Sequence, residues 1–309
     1  MMQLDGLHHV TAITADAPRN VDFYARLLGM RLVKKTVNFD APDVYHLYYG
    51  DEAGSPGSIL TFFEFPGAAP GRPGAGMLHR LVWRVGSEET LDFWASRLES
   101  EGVRVEREGS RVRFADPEGL GLELAHFQSG DAPLVAVAAG IPPEHAVQGL
   151  DGARAYTSAA ERSTPLLEKT LEFEHEGNGD WIVAGEDRGA RWSYDAPPPE
   201  RGIHGAGTVH HIAWAARDED HESWRDALAA AGAHVTPVID RQYFFSIYFR
   251  EPSGVLFEIA TLGPGFATDE DPAHLGEALR LPPQHEHLRD RLEKTLTPLQ
   301  NPRVSEVAP

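Results

Sequence analysis

Two histidine pairs and one glutamate are the residues of this chain best suited to chemistry. The pairs are His8-His9, within Leu7-His8-His9-Val10-Thr11-Ala12-Ile13, and His210-His211, within Val209-His210-His211-Ile212-Ala213-Trp214. The glutamate is Glu258, set between Phe257 and Ile259 in Gly254-Val255-Leu256-Phe257-Glu258-Ile259-Ala260. A lone carboxylate in an apolar strand loses its hydration unless it is paired, protonated or bound to metal. Imidazole and carboxylate together are the donors of many divalent-metal sites, so a metal centre is one reading. A salt bridge from Glu258 to Arg241 is the other. There is no cysteine, which excludes thiolate ligands and disulfides alike.

The elements that must position these residues repeat. Residues 7–14 alternate as a strand. A helix follows, with Asp16 as N-cap, Pro18 in its first turn and Gly29 at its stop, then strands near 31–37, 44–50 and 58–65. The same order returns as a strand at 77–85, a helix at 87–101 and strands at 103–107, 111–115 and 120–125. A weaker third copy places a strand at 149–157, a helix at 160–171 and strands at 172–176, 181–185 and 190–194. The fourth has a strand at 208–216, a helix at 219–232 and strands at 234–238, 243–250 and 255–261. Asp116-Pro117-Glu118-Gly119 and Glu251-Pro252-Ser253-Gly254 mark the same turn in copies two and four. The expected fold is therefore α+β, built from four strand–helix–three-strand (βαβββ) modules.

Modules one and two fill an N-terminal half, 1–127, and modules three and four a C-terminal half, 149–262. The Ala-, Pro- and Gly-rich stretch 128–148 reads as the linker between them, and 263–309 as an extension and tail with a short amphipathic helix over 284–296. Residues 67–76 form a Pro/Gly loop, either a plain connection or a lid. With 309 residues, 41% of them hydrophobic, the chain can bury a large core. A formal charge of −19 argues against nucleic acid and anionic membranes as partners. No signal-peptide pattern or membrane-length apolar run is present, so a cytoplasmic location is expected.

Four such modules in one chain resemble the vicinal oxygen chelate superfamily of glyoxalases, bleomycin-resistance proteins and extradiol dioxygenases. The blocks Gly6-Leu7-His8-His9-Val10-Thr11, Tyr45-His46-Leu47-Tyr48-Tyr49-Gly50-Asp51, Gly54-Ser55-Pro56-Gly57 and Gly207-Thr208-Val209-His210-His211-Ile212-Ala213 narrow the match. Together with Asp240-Arg241-Gln242-Tyr243-Phe244-Phe245-Ser246-Ile247-Tyr248-Phe249-Arg250, they resemble the hydroquinone-type ring-cleaving dioxygenases. That resemblance implies two curved mixed-sheet barrels. It also implies a non-haem Fe(II) centre, with Mn(II) or Zn(II) ranked below it, and the ligands His9, His211 and Glu258. The implied reaction is O2-dependent cleavage of a small aromatic diol, hydroquinone-like or catechol-like. A homodimer is a further family expectation.

Comparison among the modules agrees with this ligand set. Module three opens Gly149-Leu150-Asp151-Gly152-Ala153 without histidine, and module two has Arg80 at the ligand position. Module two keeps Glu123 as the counterpart of Glu258, and module one has only Thr61 or Phe62 there. Three ligands survive, from modules one and four, so those two modules are expected to pair around the metal. Two histidines and one carboxylate form the facial triad of non-haem ferrous oxygenases. A metal-dependent isomerase or lyase of the glyoxalase kind, or a zinc enzyme, is the alternative. His79 and Glu123 read as structural remnants.

Tyr248 and Arg241 match the family's pocket residues, as a hydrogen-bonding partner of a substrate oxygen and a stabiliser of negative charge. His8 and His210 point away from the ligands on a regular strand, with packing and catalytic roles both open. Ala213 and Ala215 are expected to leave room for a ring. Tyr243, Phe244, Phe245, Tyr248 and Phe249 are expected to form an apolar wall suited to methyl- or chloro-substituted rings. No role follows from the residues alone for Tyr45, His46 or Tyr48. His204, His285 and His287 read as surface residues.

Overall fold

The protein is described here by a computed structural model covering residues 2–304. Module one consists of β1 (Leu4–Thr14), α1 (Ala17–Val21), β2 (Arg31–Asn38), β3 (Ala41–Gly50) and β4 (Ile59–Glu64). Module two consists of β5 (Met77–Val85), α2 (Glu88–Ser100), β6 (Glu106–Glu108), β7 (Arg111–Ala115) and β8 (Gly121–His126). Module three is β9 (Leu150–Tyr156), α3 (Thr164–Lys169), β10 (Glu174–Gly177), β11 (Asp180–Val183) and β12 (Ala190–Asp195). Module four is β13 (Val209–Ala216), α4 (His221–Ala230), β14 (Ile239–Asp240), β15 (Phe244–Arg250) and β16 (Leu256–Pro264).

The strands form two eight-stranded sheets. One runs β14-β15-β16-β13-β1-β4-β3-β2 and joins modules four and one; the other runs β10-β11-β12-β9-β5-β8-β7-β6 and joins three and two. The chain's first and last modules therefore meet, as the ligand count requires. The seam is antiparallel in both sheets, β1 on β13 and β5 on β9. Along β13, His211 and Ala213 lie on one face. Ile212 and Trp214 belong to the other, where Trp214 packs against Phe173, Trp192 and Phe257. That strand alternation directs the ligand candidates into a cup and the large apolar side chains into the main core.

Several element boundaries differ from the sequence expectation. The first helix is capped as expected, Asp16 Oδ1 accepting from Arg19 N at 3.1 Å, but it is regular only to Val21 and then widens into a π-helical turn over Asp22–Leu27. The 160–171 helix shrinks to a tight turn and α3, and 103–107 keeps only the start of β6. The 234–238 stretch is not a strand; its place is taken by the two-residue β14, because a sheet edge needs few backbone partners. Residues 67–76 do not form a free lid. Gly71 N and Arg72 N bond Ala206 O and Ile203 O, at 2.8 Å each, which ties the loop to the crossover before β13.

The 128–148 stretch is pinned too, by Arg188, whose guanidinium bonds the carbonyls of Ala132, Gln148 and Leu150. The C-terminal extension covers the β2 edge of the sheet that joins modules four and one. The fully buried Lys34 of β2 bonds Asp269 at 2.6 Å and also Glu270. The tail's helix is split into a tight turn, Pro283–Leu288, and α5 (Arg289–Thr295). No helix among the described residues is long and apolar enough to cross a membrane.

Candidate metal centre

The seam between modules one and four builds the site. His9 lies on β1 opposite Ala213 of β13, and Ala213 lies beside Glu258 of β16. His211 pairs with Thr11 of β1. These registers bring one nitrogen or oxygen from each of His9, His211 and Glu258 within 4.8 Å of one another, all three residues being buried. Glu258 Oε2 is 3.4 Å from His9 Nε2 and 3.0 Å from His211 Nε2, and the two nitrogens are 3.3 Å apart.

Ligand bonds of about 2.1 Å place donors about 3 Å apart at right angles and about 3.4 Å apart at tetrahedral angles. The triangle fits a small divalent ion in either geometry. Ser246 Oγ donates to Glu258 Oε1 at 2.5 Å, whereas Oε2 is buried with no hydrogen-bond donor on it. A buried carboxylate oxygen left bare and facing two imidazole nitrogens is what a metal would complete. Burial pushes the Glu258 carboxyl up, but His9 and His211 outweigh this and hold it well below the usual carboxylate range. Burial likewise lowers His211, against the opposing pull of Glu258.

His8 and His210 do not simply point away. On β1, Leu7 pairs with Trp214 and His9 with Ala213, so His8 is an extra residue without a partner. On β13 the same irregularity falls on His210, because Thr11 pairs with His211 and Ala12 with Val209. Such bulges re-aim a side chain. Each extra histidine turns its Nδ1 onto the Nδ1 of the next, at 2.9 Å for His8–His9 and 2.8 Å for His210–His211. Burial lowers His8 to about 3 and His210 to about 4, so both are neutral near pH 7. A neutral Nδ1 can accept from the Nδ1–H of its neighbour, which leaves the neighbour's Nε2 lone pair for a metal. His210 lines the cavity described next, whereas His8 packs against Phe244 behind it.

A cavity of about 440 Å³ opens over His9 and His211. Arg241 and Tyr248 stand in it, with Arg241 Nε donating to the Tyr248 hydroxyl at 3.2 Å. Arg241 does not pair with Glu258 as the salt-bridge alternative required; its Nη1 reaches Asp40 at 3.1 Å, bridging modules four and one. It is aimed by a turn in which Gln242 adopts φ 68°, held by Asp240 and Asp269. Burial raises the Tyr248 hydroxyl, so it is protonated near pH 7.

The aromatic run contributes less wall than expected. Phe244 and Tyr248 line the cavity, Phe245 faces outward, Tyr243 bonds Asp269, and Phe249 packs on Phe257. Strand alternation puts neighbours on opposite faces, so a continuous aromatic run cannot form one wall. Ala213 is not part of that wall either. It sits in an apolar floor with Tyr48, Phe244 and Phe266, and neither Ala213 nor Ala215 lines the cavity. Sequence reasoning assigned no role to His46 and Tyr48 or to Thr11, all of which line the cavity. The Tyr45–Asp51 block was the available signal. Tyr45 itself points away, to Thr297 O at 3.0 Å. His204 and His287 are exposed, and His285 is half-buried on Phe39 O.

In the sheet that joins modules three and two, the counterpart of Glu258 meets arginines instead of histidines. Glu123 is fully buried, but Arg113 Nε meets it at 2.8 Å, Arg80 Nη1 at 3.6 Å, and Arg111 also bonds it. His79 bonds Asp195 at 2.7 Å and stacks on Tyr156. His79 and Glu123 are thus structural, with arginines neutralising the carboxylate.

A profile of the Glyoxalase/Bleomycin resistance protein/Dioxygenase superfamily matches residues 6–124 and 149–259. The chain is 43% identical to "Putative ring-cleaving dioxygenase MhqO" of Bacillus subtilis, over 96% of each chain. It is 34% identical to "Chlorohydroquinone/hydroquinone 1,2-dioxygenase" of Sphingobium indicum, over 96% of this chain and 98% of that one. The crystal structure of a Bacillus subtilis "putative dioxygenase" superposes with a TM-score of 0.90 at 42% identity, covering 97% of this chain and 99% of the other.

Proposed function

This chain belongs to the Glyoxalase/Bleomycin resistance protein/Dioxygenase superfamily, and we propose that it is a ring-cleaving dioxygenase that uses Fe(II) and O2 on hydroquinone-like aromatic diols. The observation that carries this reading is the buried triangle of His9, His211 and Glu258, with Glu258 Oε2 left bare beneath a cavity of ring size. In this reading those three residues hold the metal. A ferrous ion bound there supplies a site where diol and dioxygen meet and exchange electrons without the spin barrier to their direct reaction.

The residues of the chain do the rest. His8 and His210 fix the tautomers of His9 and His211 through their Nδ1 contacts. Glu258 is oriented by Ser246, which donates to Oε1 and leaves Oε2 for the metal. Tyr248 is a neutral hydroxyl that can donate to a substrate oxygen while Arg241, bonded to it, stabilises negative charge on that oxygen. Phe39, Phe63 and Phe244 enclose the ring face and exclude water. Methyl- and chloro-substituted rings suit these apolar surfaces, and Arg241 in the cavity also admits an anionic substituent. A glyoxalase-type isomerase is the weaker reading, because module one offers Thr61 where a fourth, carboxylate ligand would stand.

The deciding experiment is anaerobic reconstitution with ferrous iron, then oxygen uptake with substituted hydroquinones and catechols. Uptake with hydroquinones is the expected result. No uptake with any diol, together with turnover of a thiol–aldehyde adduct, would replace this reading with the isomerase.

A further inference from the structure

The metal-side sheet has internal two-fold symmetry that the ligand set does not share. One row across the strands is His9–Ala213–Glu258–Tyr248, and its mate is His211–Thr11–Thr61–Tyr48. Tyr48 is thus the counterpart of Tyr248, Thr61 of Glu258 and, two residues before each tyrosine, His46 of Ser246. The hydrogen bonds repeat as well. Ser246 bonds Glu258, and His46 Nε2 bonds Thr61 Oγ1 at 2.7 Å. Module four uses its row to orient a carboxylate. Module one keeps a complete polar row in which no group carries a fixed charge.

The direction of that row follows from its own donors. Thr61 Oγ1 donates to Thr11 Oγ1 at 3.0 Å, so it must accept from His46 Nε2–H. His46 Nδ1 is then bare and accepts from the Tyr48 hydroxyl at 2.9 Å. Each hydrogen is spent on the next residue until Thr11, whose own hydroxyl hydrogen has no protein partner among the described residues. Thr11, His46 and Tyr48 all line the cavity, and both His46 and Tyr48 are close enough to Arg241 to feel its charge. A buried chain that ends in an unspent donor at a cavity wall is a site for an acceptor oxygen.

We propose that His46 is a positioning residue, and that the row Thr11–Thr61–His46–Tyr48 it holds together is a second polar subsite that hydrogen-bonds a hydroxyl of an aromatic diol. This rests on the diol reading above. The Tyr248–Arg241 wall takes one oxygen of the ring and the module-one wall takes the other, so the subsite selects diols over monophenols.

The test compares anaerobic equilibrium binding of hydroquinone and phenol to the iron-loaded protein, since phenol lacks only the second hydroxyl. In the wild-type protein hydroquinone should bind about tenfold more tightly than phenol, the worth of one hydrogen bond. His46→Phe and Thr61→Val should each bring the two ligands close to parity while phenol affinity and iron content stay unchanged. His46→Gln, which offers both a donor and an acceptor, should restore part of the difference. The proposal is overturned if both His46→Phe and Thr61→Val keep the wild-type ratio, or if they weaken phenol and hydroquinone equally. Failure of the diol reading would show separately, as wild-type protein that takes up no oxygen with any diol.

Discussion

Ser246 holds one oxygen of Glu258 at 2.5 Å and so leaves the other to face His9 and His211. The contact spans neighbouring strands and is buried at both ends. Ser246→Ala removes the donor that fixes the carboxylate's rotation. Loss of such an outer partner costs about 10- to 100-fold in metal affinity. Titration of iron-loaded protein with a competing chelator should show that loss, and wild-type affinity would remove Ser246 from the site.

His9→Ala and His211→Ala should abolish tight iron binding to the same degree, although the two residues are 202 positions apart. Metal analysis after gel filtration reads this directly. Full iron occupancy in His9→Ala would mean that the C-terminal half builds the centre alone.

Tyr248→Phe keeps the ring and removes the hydroxyl that accepts from Arg241. Activity should fall about 10²-fold in kcat/KM at unchanged iron content, the lower range for a lost proton donor. An oxygen electrode and metal analysis on the same preparation check both halves. Unchanged turnover would make Tyr248 a wall residue only.

Asp116 ties the two barrels, accepting from the Tyr24 hydroxyl at 3.1 Å and from the backbone of Glu118 and Leu120. Burial pushes its carboxyl up to about 6, against the lowering by those hydrogen bonds. The folded value lies above the unfolded one, so the folded chain binds more protons in that window. Stability from this group is therefore greatest below about pH 4 and is lost as pH rises through about 6, by roughly 3 kcal/mol in all. Asp116→Asn should remove that slope. Urea unfolding at several values from pH 4 to 7 should show the variant gaining on wild type as pH rises, and a constant difference would refute the assignment.

Lys34 is fully buried between Asp269 and Glu270, and Asp269 also holds Gln242 and Tyr243 next to Arg241. Lys34→Met leaves the buried Glu270 with Arg280, at 3.2 Å, as its remaining cation and should cost about 3 kcal/mol, the lower end for a broken buried pair. It should also raise KM, because the turn that aims Arg241 loses its anchor. Urea unfolding reads the first effect and steady-state kinetics the second. Adding Glu270→Gln should recover part of the stability.

The modular order, the pairing of modules one and four, and the convergence of His9, His211 and Glu258 were legible in the sequence. His8-His9, His210-His211 and Glu258 sit in strands whose period is set locally by side-chain type. Counting ligands per module left one workable pairing. What the sequence could not decide depended on register. The bulges at His8 and His210 turn those side chains back onto His9 and His211, and no local pattern marks a bulge. The aromatic run at 243–249 looked like one wall and proved to be divided between two faces, because a strand alternates whatever its composition. His46 and Tyr48 had no derivable role until β3, β4, β1 and β13 were set side by side. Their partners, Thr61 and Thr11, lie 15 and 50 positions away along the successive bonds, a distance that only tertiary pairing closes.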